Sequence, residues 1–282
     1  LVENETGTYN TAIGFECLYN NTASNNLGVG YRALKANTSG DLNVAIGGNA
    51  LTSNTLGDRA VAVGFNALTS QAPSSNTDTY NVAIGLNSQF STTTGTENTS
   101  VGGYSNSSNT TGSYNSSLGS HALKENTTGY ANVAIGRNAL DANTEGFKNI
   151  AIGVDALGAN TTSDENIAIG NLAGSTMSNG GHNNVIIGNN ACESGTAPYQ
   201  VVAIGRYAAQ NNSAQGTVAI GYSAAKALTT SGNWVAIGYE SAMTCTNQAG
   251  TGVAVGYRSQ KYSTGNNNIT VGGHCMEGAN ST

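Results

Sequence analysis

The sequence predicts an all-β fold: a parallel β-solenoid of about sixteen 17-residue coils, continuous as one repeat domain over residues 1–282. Three observations predict it. A short pattern, Asn-Val-Ala-Ile-Gly in its fullest form, recurs along the whole chain. Its glycine falls at 14, 30, 47, 64, 85, 102, 119, 136, 153, 170, 188, 205, 221, 238, 256 and 272, and the usual step is seventeen residues. Each position of the period, read down the repeats, accepts a narrow set of side chains. A fixed period of this length is the signature of stacked supersecondary units.

The first element of each period is the triplet before the anchor glycine. The residue directly before the anchor is always Ile, Val or Leu, and three before it Val or Ile dominates, as at Val44, Val82, Ile150 and Val235. Between them sits a small residue, usually Ala, with Ile186 the large exception. Such a triplet ending in glycine reads as a short strand that bends at the glycine. Three after the anchor stands Ala, Ser or Cys, followed most often by Leu (Leu34, Leu51, Leu68, Leu123, Leu140, Leu157), which predicts a second short extended piece. Then comes Asn-Thr-x-Gly, as at 37–40, 109–112 and 126–129. This is turn chemistry, because Asn and Gly tolerate positive φ and Asn or Thr side chains bond nearby backbone. Stacked periods bring strand onto strand at about 4.8 Å and line up like side chains as ladders. Asn occupies the position four before the anchor in eleven of sixteen periods, so its amides can pair from coil to coil. One step is longer, from Gly64 to Gly85, and places a loop insertion near 71–76, where Ala72-Pro73-Ser74-Ser75 bulges from a turn.

Alternate residues of a strand face opposite sides. Neither face of the triplet carries a Lys, Arg, Asp or Glu in any period. A strand uncharged on both sides ordinarily has both sides covered. Small residues suit a thin coil interior, which turns the Val and Ile ladders outward. The ladder Ile46, Ile84, Ile135, Ile152, Ile169, Ile204 and Ile237 then becomes the face on which copies of the chain associate. The reverse arrangement, aliphatics inside and Ala outside, permits a monomer.

The residues Asn43 to Gly47, with counterparts at 81–85 and 132–136, resemble the head repeats of trimeric autotransporter adhesins. The longer unit from Asn132 to Gly146 is similar to repeats of phage tail fibres and large bacterial surface fibres. The resemblance covers nearly the whole chain. It implies a left-handed β-roll, three chains about one axis, and display outside a cell or on a virion, where a host-surface glycan or protein receptor is the expected partner. The adhesin repeat is typically fourteen residues where this one is seventeen, and no coiled-coil stalk, neck, membrane-anchor barrel or chaperone domain is seen in these residues.

Composition excludes several classes. Charged residues are 9% of the chain, and net charge is −6 with ten Lys plus Arg, so no basic surface is available for nucleic acid or an anionic membrane. No apolar run is long enough to span a bilayer. The start at Leu1, without a signal-peptide pattern, is expected of a mature or trimmed chain. Cys17, Cys192, Cys245 and Cys275 have neither metal-ligand spacing nor clustering, and His121, His182 and His274 lie several periods apart. No catalytic constellation, cofactor motif or metal site is therefore expected. Cys17 and Cys275 fall in the small-residue column and read as Ala substitutes. Glu16, Asp155 and Glu240, two after the anchor, alternate with Arg32 and Arg258 as a solvated face of mixed sign.

Two columns are candidate ligand surfaces. Phe15, Tyr31, Phe65, Tyr222, Tyr239 and Tyr257 directly follow the anchor, and aromatic platforms bind sugars or proteins. Stacked rings shielding a strand edge are the structural alternative. Eight after the anchor run Thr38, Thr55, Thr93, Thr110, Thr127, Thr144 and Thr161, with Thr22, Thr196, Thr229, Thr246 and Thr264 and with Ser178 and Ser213. By resemblance to Thr-ladder solenoids this column could order water for ice binding, or it could carry O-linked sugars. Turn capping explains it as well. The sequence thus leads to a non-enzymatic, adhesive fibre segment, with a monomeric ice- or glycan-binding solenoid as the alternative.

Overall fold

In the computed structural model the chain is an all-β parallel β-solenoid, described over residues 3–195, 199–212, 215–228, 232–245, 251–262 and 267–278. It divides into two compact units, residues 1–145 and 146–282. The first holds β1 (Thr11–Ile13), β2 (Leu27–Val29), β3 (Val44–Ile46), β4 (Gly57–Asp58), β5 (Val61–Val63), β6 (Thr77–Asp78), β7 (Val82–Ile84), β8 (Thr99–Val101), β9 (Ser116–Leu118) and β10 (Val133–Ile135). The second holds β11 (Ile150–Ile152), β12 (Ile167–Ile169), β13 (Val185–Ile187), β14 (Val202–Ile204), β15 (Val218–Ile220), β16 (Trp234–Ile237), β17 (Gly252–Val255) and β18 (Ile269–Val271).

Within each unit the triplet strands pair in parallel with the triplet of the next coil. The register sets like against like: Val44 with Val61, Ala45 with Ala62 and Ile46 with Val63, and again Ile150 with Ile167 and Ala151 with Ala168. Each strand ends after three or four residues because the anchor glycine follows. Gly47 has φ +134°, and a Cβ there would lie 2.4 Å from the Gly64 carbonyl oxygen of the next coil. Both the backbone conformation and the close approach of the next coil exclude a side chain.

The second segment differs from the expected extended piece. After the anchor the chain runs through consecutive turns: Ala50 N–H donates to the Gly47 carbonyl (3.3 Å), Thr52 N–H to Asn49 (3.3 Å) and Asn54 N–H to Leu51 (3.2 Å). Asn49 (φ 58°) and Leu51 (φ 51°) are left-handed, as the third residue of a type II turn must be. The same two positions are left-handed at Arg32 and Leu34 and at Asn138 and Leu140. Leucine in this conformation costs about 1–2 kcal/mol. Full burial of its side chain is worth about 1.5–3 kcal/mol, and Leu34, Leu51, Leu68, Leu123, Leu140 and Leu157 are all completely buried. Burial therefore wins. Cross-coil bonds continue through the turns, as from Leu51 N–H to the Ala67 carbonyl (3.0 Å).

The interior is the one small residues allow. The strand Ala column (Ala45, Ala62, Ala83, Ala134, Ala151, Ala168) is fully buried against the Ala and Leu columns of the turns. The flanking Val is half-buried and the Ile exposed or half-buried. The reverse arrangement, with aliphatics inside, is overturned. Departures from the column pattern compensate one another. Met177 and Ile186 together fill the space left where Gly174 replaces the usual Leu, and a Cβ on Gly174 would lie 2.9 Å from Met177 Sδ and 3.2 Å from Ile186 Cδ1. A Cβ on Gly28, which stands in the Ala column, would lie 2.5 Å from Cys17 Sγ. Trp234, completely buried, takes the Asn position, and Gly252 in the next coil leaves room for its ring, 2.3 Å from where a Cβ would sit.

Two asparagine ladders line the coil, one directly before the strand and one in the Asn-Thr-x-Gly turn. In the column four before the anchor, Asn43 Oδ1 accepts the Ala60 N–H (2.9 Å) while its Nδ2 donates to the Gly57 carbonyl (2.8 Å). In the Asn-Thr-x-Gly turn, Asn126 Nδ2 donates to Asn109 Oδ1 (3.1 Å) and to the Gly129 carbonyl (3.0 Å). These amides are thus satisfied from coil to coil. The insertion near 71–76 leaves the turn with Ser74, Ser75 and Asn76 exposed. It returns as β6, which pairs with β4 as a separate two-stranded sheet. Arg59 and Asp78 form an ion pair beside it.

Candidate functional site

Three surfaces of the coils carry the side chains singled out by the sequence. The aliphatic face is the most extensive. Ile46 is 38% exposed, Ile84 39% and Ile135 38% in the first unit, and Ile169 and Ile237 are 36% in the second. Ile152 and Ile204 in the same column are half-buried. Each points away from the Ala interior because it shares the strand with an inward Ala and must face the other side.

The column after the anchor forms ring stacks. Phe15 and Tyr31 lie parallel with centroids 5.9 Å apart, Tyr222 and Tyr239 at 5.1 Å, and Tyr239 and Tyr257 at 5.4 Å. Phe65 has no such ring partner among the described residues and covers the backbone at Gly48, where a Cβ would lie 3.1 Å from the ring. Sequence reasoning missed two members. Tyr207 meets Tyr222 edge-on (5.9 Å) and His274 meets Tyr257 edge-on (5.1 Å), both from the neighbouring position two after the anchor. The signal was there, since a ring one place along the turn reaches the same stack. Because the faces of Tyr222, Tyr239 and Tyr257 lie against one another, the column presents edges rather than open platforms. Its members act as cross-coil packing.

Charged neighbours lock the same edge. Glu16 Oε2 accepts from Arg32 Nε (2.8 Å) and Lys35 Nζ (2.7 Å). The arrangement recurs with Glu240, Arg258 (2.9 Å) and Lys261 (2.5 Å). Arg32 also lies over the Tyr31 ring and Arg258 over Tyr257. Hydrogen bonds from Lys35 and Arg32 hold the Glu16 carboxyl below its ordinary range. At Glu240 burial pushes the value up, but Lys261 and Arg258 together overcome it and the net shift is downward.

The threonine column spends its hydroxyls internally. Thr38 Oγ1 donates to the Thr55 carbonyl (3.0 Å), Thr93 to Thr110 (3.1 Å), Thr110 to Thr127 (3.0 Å) and Thr127 to Thr144 (3.0 Å). Thr161 Oγ1 bonds the Asn179 side chain. These bonds tie each coil to the next. Thr196, Ser213, Thr229, Thr246 and Thr264 lie outside the described residues.

The cysteines and histidines remain dispersed. All four cysteines are free thiols, and burial pushes the Cys192 thiol up to about 12. Cys17 is buried as an Ala substitute, whereas Cys275 in the same column is only half-buried. His121 stacks on Tyr104 (5.4 Å), His182 accepts a backbone N–H, and His274 meets Glu277. Among the described residues no group of three or more His, Cys, Asp or Glu is placed to hold a metal ion. The fold and these surfaces define a parallel β-solenoid repeat protein. Searched against known protein families and curated proteins, the chain matches none.

Proposed function

We propose that the chain is a non-enzymatic structural and adhesive segment of an extracellular fibre, assembled from copies of itself through its outward aliphatic columns. One observation carries the reading. In both units the columns that flank the buried Ala are aliphatic, uncharged and partly exposed, as at Ile46, Ile135, Ile169 and Ile237. Contiguous apolar surface of this kind on a soluble chain marks an interaction face. A second copy is the natural cover, because only a chain with the same rung spacing meets the ladder at every coil. The resemblance to trimeric adhesin heads supplies three as the chain number and a cell surface or virion as the setting. The hydroxyl bonding of Thr38, Thr93, Thr110 and Thr127 weighs against the alternative of an ice-binding monomer on that column.

Sedimentation equilibrium tests the proposal. The expected result is a mass that is a multiple of 28.5 kDa, falling to that of one chain when Ile135→Asp and Ile84→Asp are combined, with the β spectrum retained. A wild-type chain that sediments as a stable monomer across the micromolar range overturns self-association.

A further inference from the structure

The position six before the anchor is filled in several first-unit coils by a short acceptor that takes the backbone N–H of the preceding coil. Asp41 Oδ1 accepts from Ser24 (2.6 Å), Asp58 Oδ1 from Asp41 (2.7 Å) and Ser113 Oγ from Thr96 (3.0 Å). Rings enter this column at Tyr130 and continue into the second unit. Phe147, Asp164, His182 and Tyr199 follow one another over four coils. Asp164 is the one short side chain among them, and a dent of about 290 Å³ opens there, rimmed by Glu165 and Asn183 from the adjoining column.

The chemistry of the dent is that of an amphipathic ring site. Asp164 Oδ1 is committed to the Phe147 N–H (2.9 Å), whereas Oδ2 lies 3.7 Å from His182 Nδ1 and is left to accept. His182 Nδ1 accepts the Asp164 N–H (3.0 Å), so the neutral ring carries its proton on Nε2 as a donor. His182 and Tyr199 meet edge to face (6.3 Å, 71°). In contrast to the parallel stack at Tyr239, that contact leaves one ring with both faces outside it. Lys148 Nζ pairs with Glu165 (3.4 Å) and lies 5.5 Å from the Phe147 centroid, so one carboxylate and one ring already have their cation. A ligand must therefore bring hydroxyls for Asp164 and Asn183 and an apolar face for an aromatic wall, not a second positive charge. The volume sits at the small end of ligand pockets, which start near about 300 Å³, and admits one small ring. We propose that this dent is a carbohydrate-binding site for a single pyranose residue of a glycan. It uses residues two or three places ahead of the aliphatic strand, and it does not depend on the self-association reading.

The test is a printed glycan array probed with the fluorescently labelled full chain, followed by saturation-transfer NMR with the retained sugar. Wild type is expected to retain at least one glycan class with an affinity of about millimolar per site. Tyr199→Ala and Asp164→Asn are each expected to weaken it by about tenfold or more. Asp164→Asn keeps the oxygen that accepts the Phe147 N–H, so its melting temperature and sedimentation mass stay at wild type and the loss reads the site alone. Choline chloride serves as the cationic probe. Absence of any retained glycan, retention unchanged in both variants, or Asp164-dependent binding of choline in place of sugars each overturns the proposal.

Discussion

Asn106 occupies the turn position that Leu holds in most first-unit coils, with Gln89 in the preceding coil and Leu123 in the following one, and replacing it should stabilise the first unit. It is completely buried, and neither Oδ1 nor Nδ2 has a hydrogen-bond partner in the protein. Its φ of 51° matches Leu51 (51°) and Leu123 (54°), so the backbone is already shaped for Leu. A buried amide without partners costs about 1–3 kcal/mol, and a buried Leu contributes about 1.5–3 kcal/mol. Against this stand the lower tolerance of Leu for a left-handed backbone, about 1 kcal/mol, and crowding by Ser105, about 1 kcal/mol or more. Asn106→Leu is therefore expected to gain about 2 kcal/mol, which for a chain of this size raises Tm by about 4–8 °C. Circular dichroism melting or calorimetry reads this directly. The converse change, Leu123→Asn, should cost about 3–5 kcal/mol. A Tm for Asn106→Leu at or below wild type would refute the reasoning. It would mean that the amide is matched by ordered water within a polar stretch that Ser88, Ser100, Ser105 and Ser117 already form.

Gly47→Ala should lose at least about 3 kcal/mol, since it combines a forbidden φ with a Cβ 2.4 Å from the Gly64 carbonyl; a melting temperature within error of wild type refutes it. The lowered pKa of Glu240 makes stability depend on acid. A carboxyl depressed in the folded state contributes above its unfolded value of about 4.3 and loses that contribution as pH falls through the folded value, so Tm should drop below about pH 4. Glu240→Gln should flatten that drop, and an identical acid profile in the variant counts against the ion-pair account. Burial of Cys192, with its thiol near 12, predicts no reaction with a thiol reagent until the chain unfolds, whereas half-buried Cys275 reacts in the native state; native-state labelling at Cys192, located by peptide mapping, decides it.

The strand, the bend and the inward Ala were legible in the sequence for a physical reason. Sixteen repeats sample each position under one environment, so the demand for a small residue at Ala45, Ala83 and Ala134 shows as a column. The consecutive turns directly after the anchor were not legible. Leu is a poor indicator of left-handed backbone, and its burial hides the strain it carries. The signal that could have revealed them is Asn two after the anchor, at Asn49, Asn66, Asn87, Asn138 and Asn190, together with Gly174 in the Leu column. The aromatic column was visible, but spacing alone does not say whether rings turn their faces to solvent or to one another. Tyr222 and Tyr239 settle on each other because a rung spacing near ring-stacking distance makes that contact available at no backbone cost. The dent at Asp164 escaped because reading columns by consensus discards the irregular members, and Phe147, His182 and Tyr199 are irregular.

The paired exceptions set how such a chain can change length. A rung whose side chains follow the consensus can be deleted or duplicated whole, and its neighbours close over the seam with every ladder in phase. Steps of sixteen residues, from Gly14 to Gly30, and of eighteen, from Gly170 to Gly188, keep the strand register, so a change of one residue is absorbed in the turns, and only a longer surplus leaves as a loop, as at Ser74 to Asn76. Cys17 with Gly28, Gly174 with Ile186, and Trp234 with Gly252 are exempt from this interchange, since each half leaves a hole or a clash without the other. Recombination within the gene is thus free among consensus rungs and punished across those three seams, which become fixed landmarks in an otherwise extensible array.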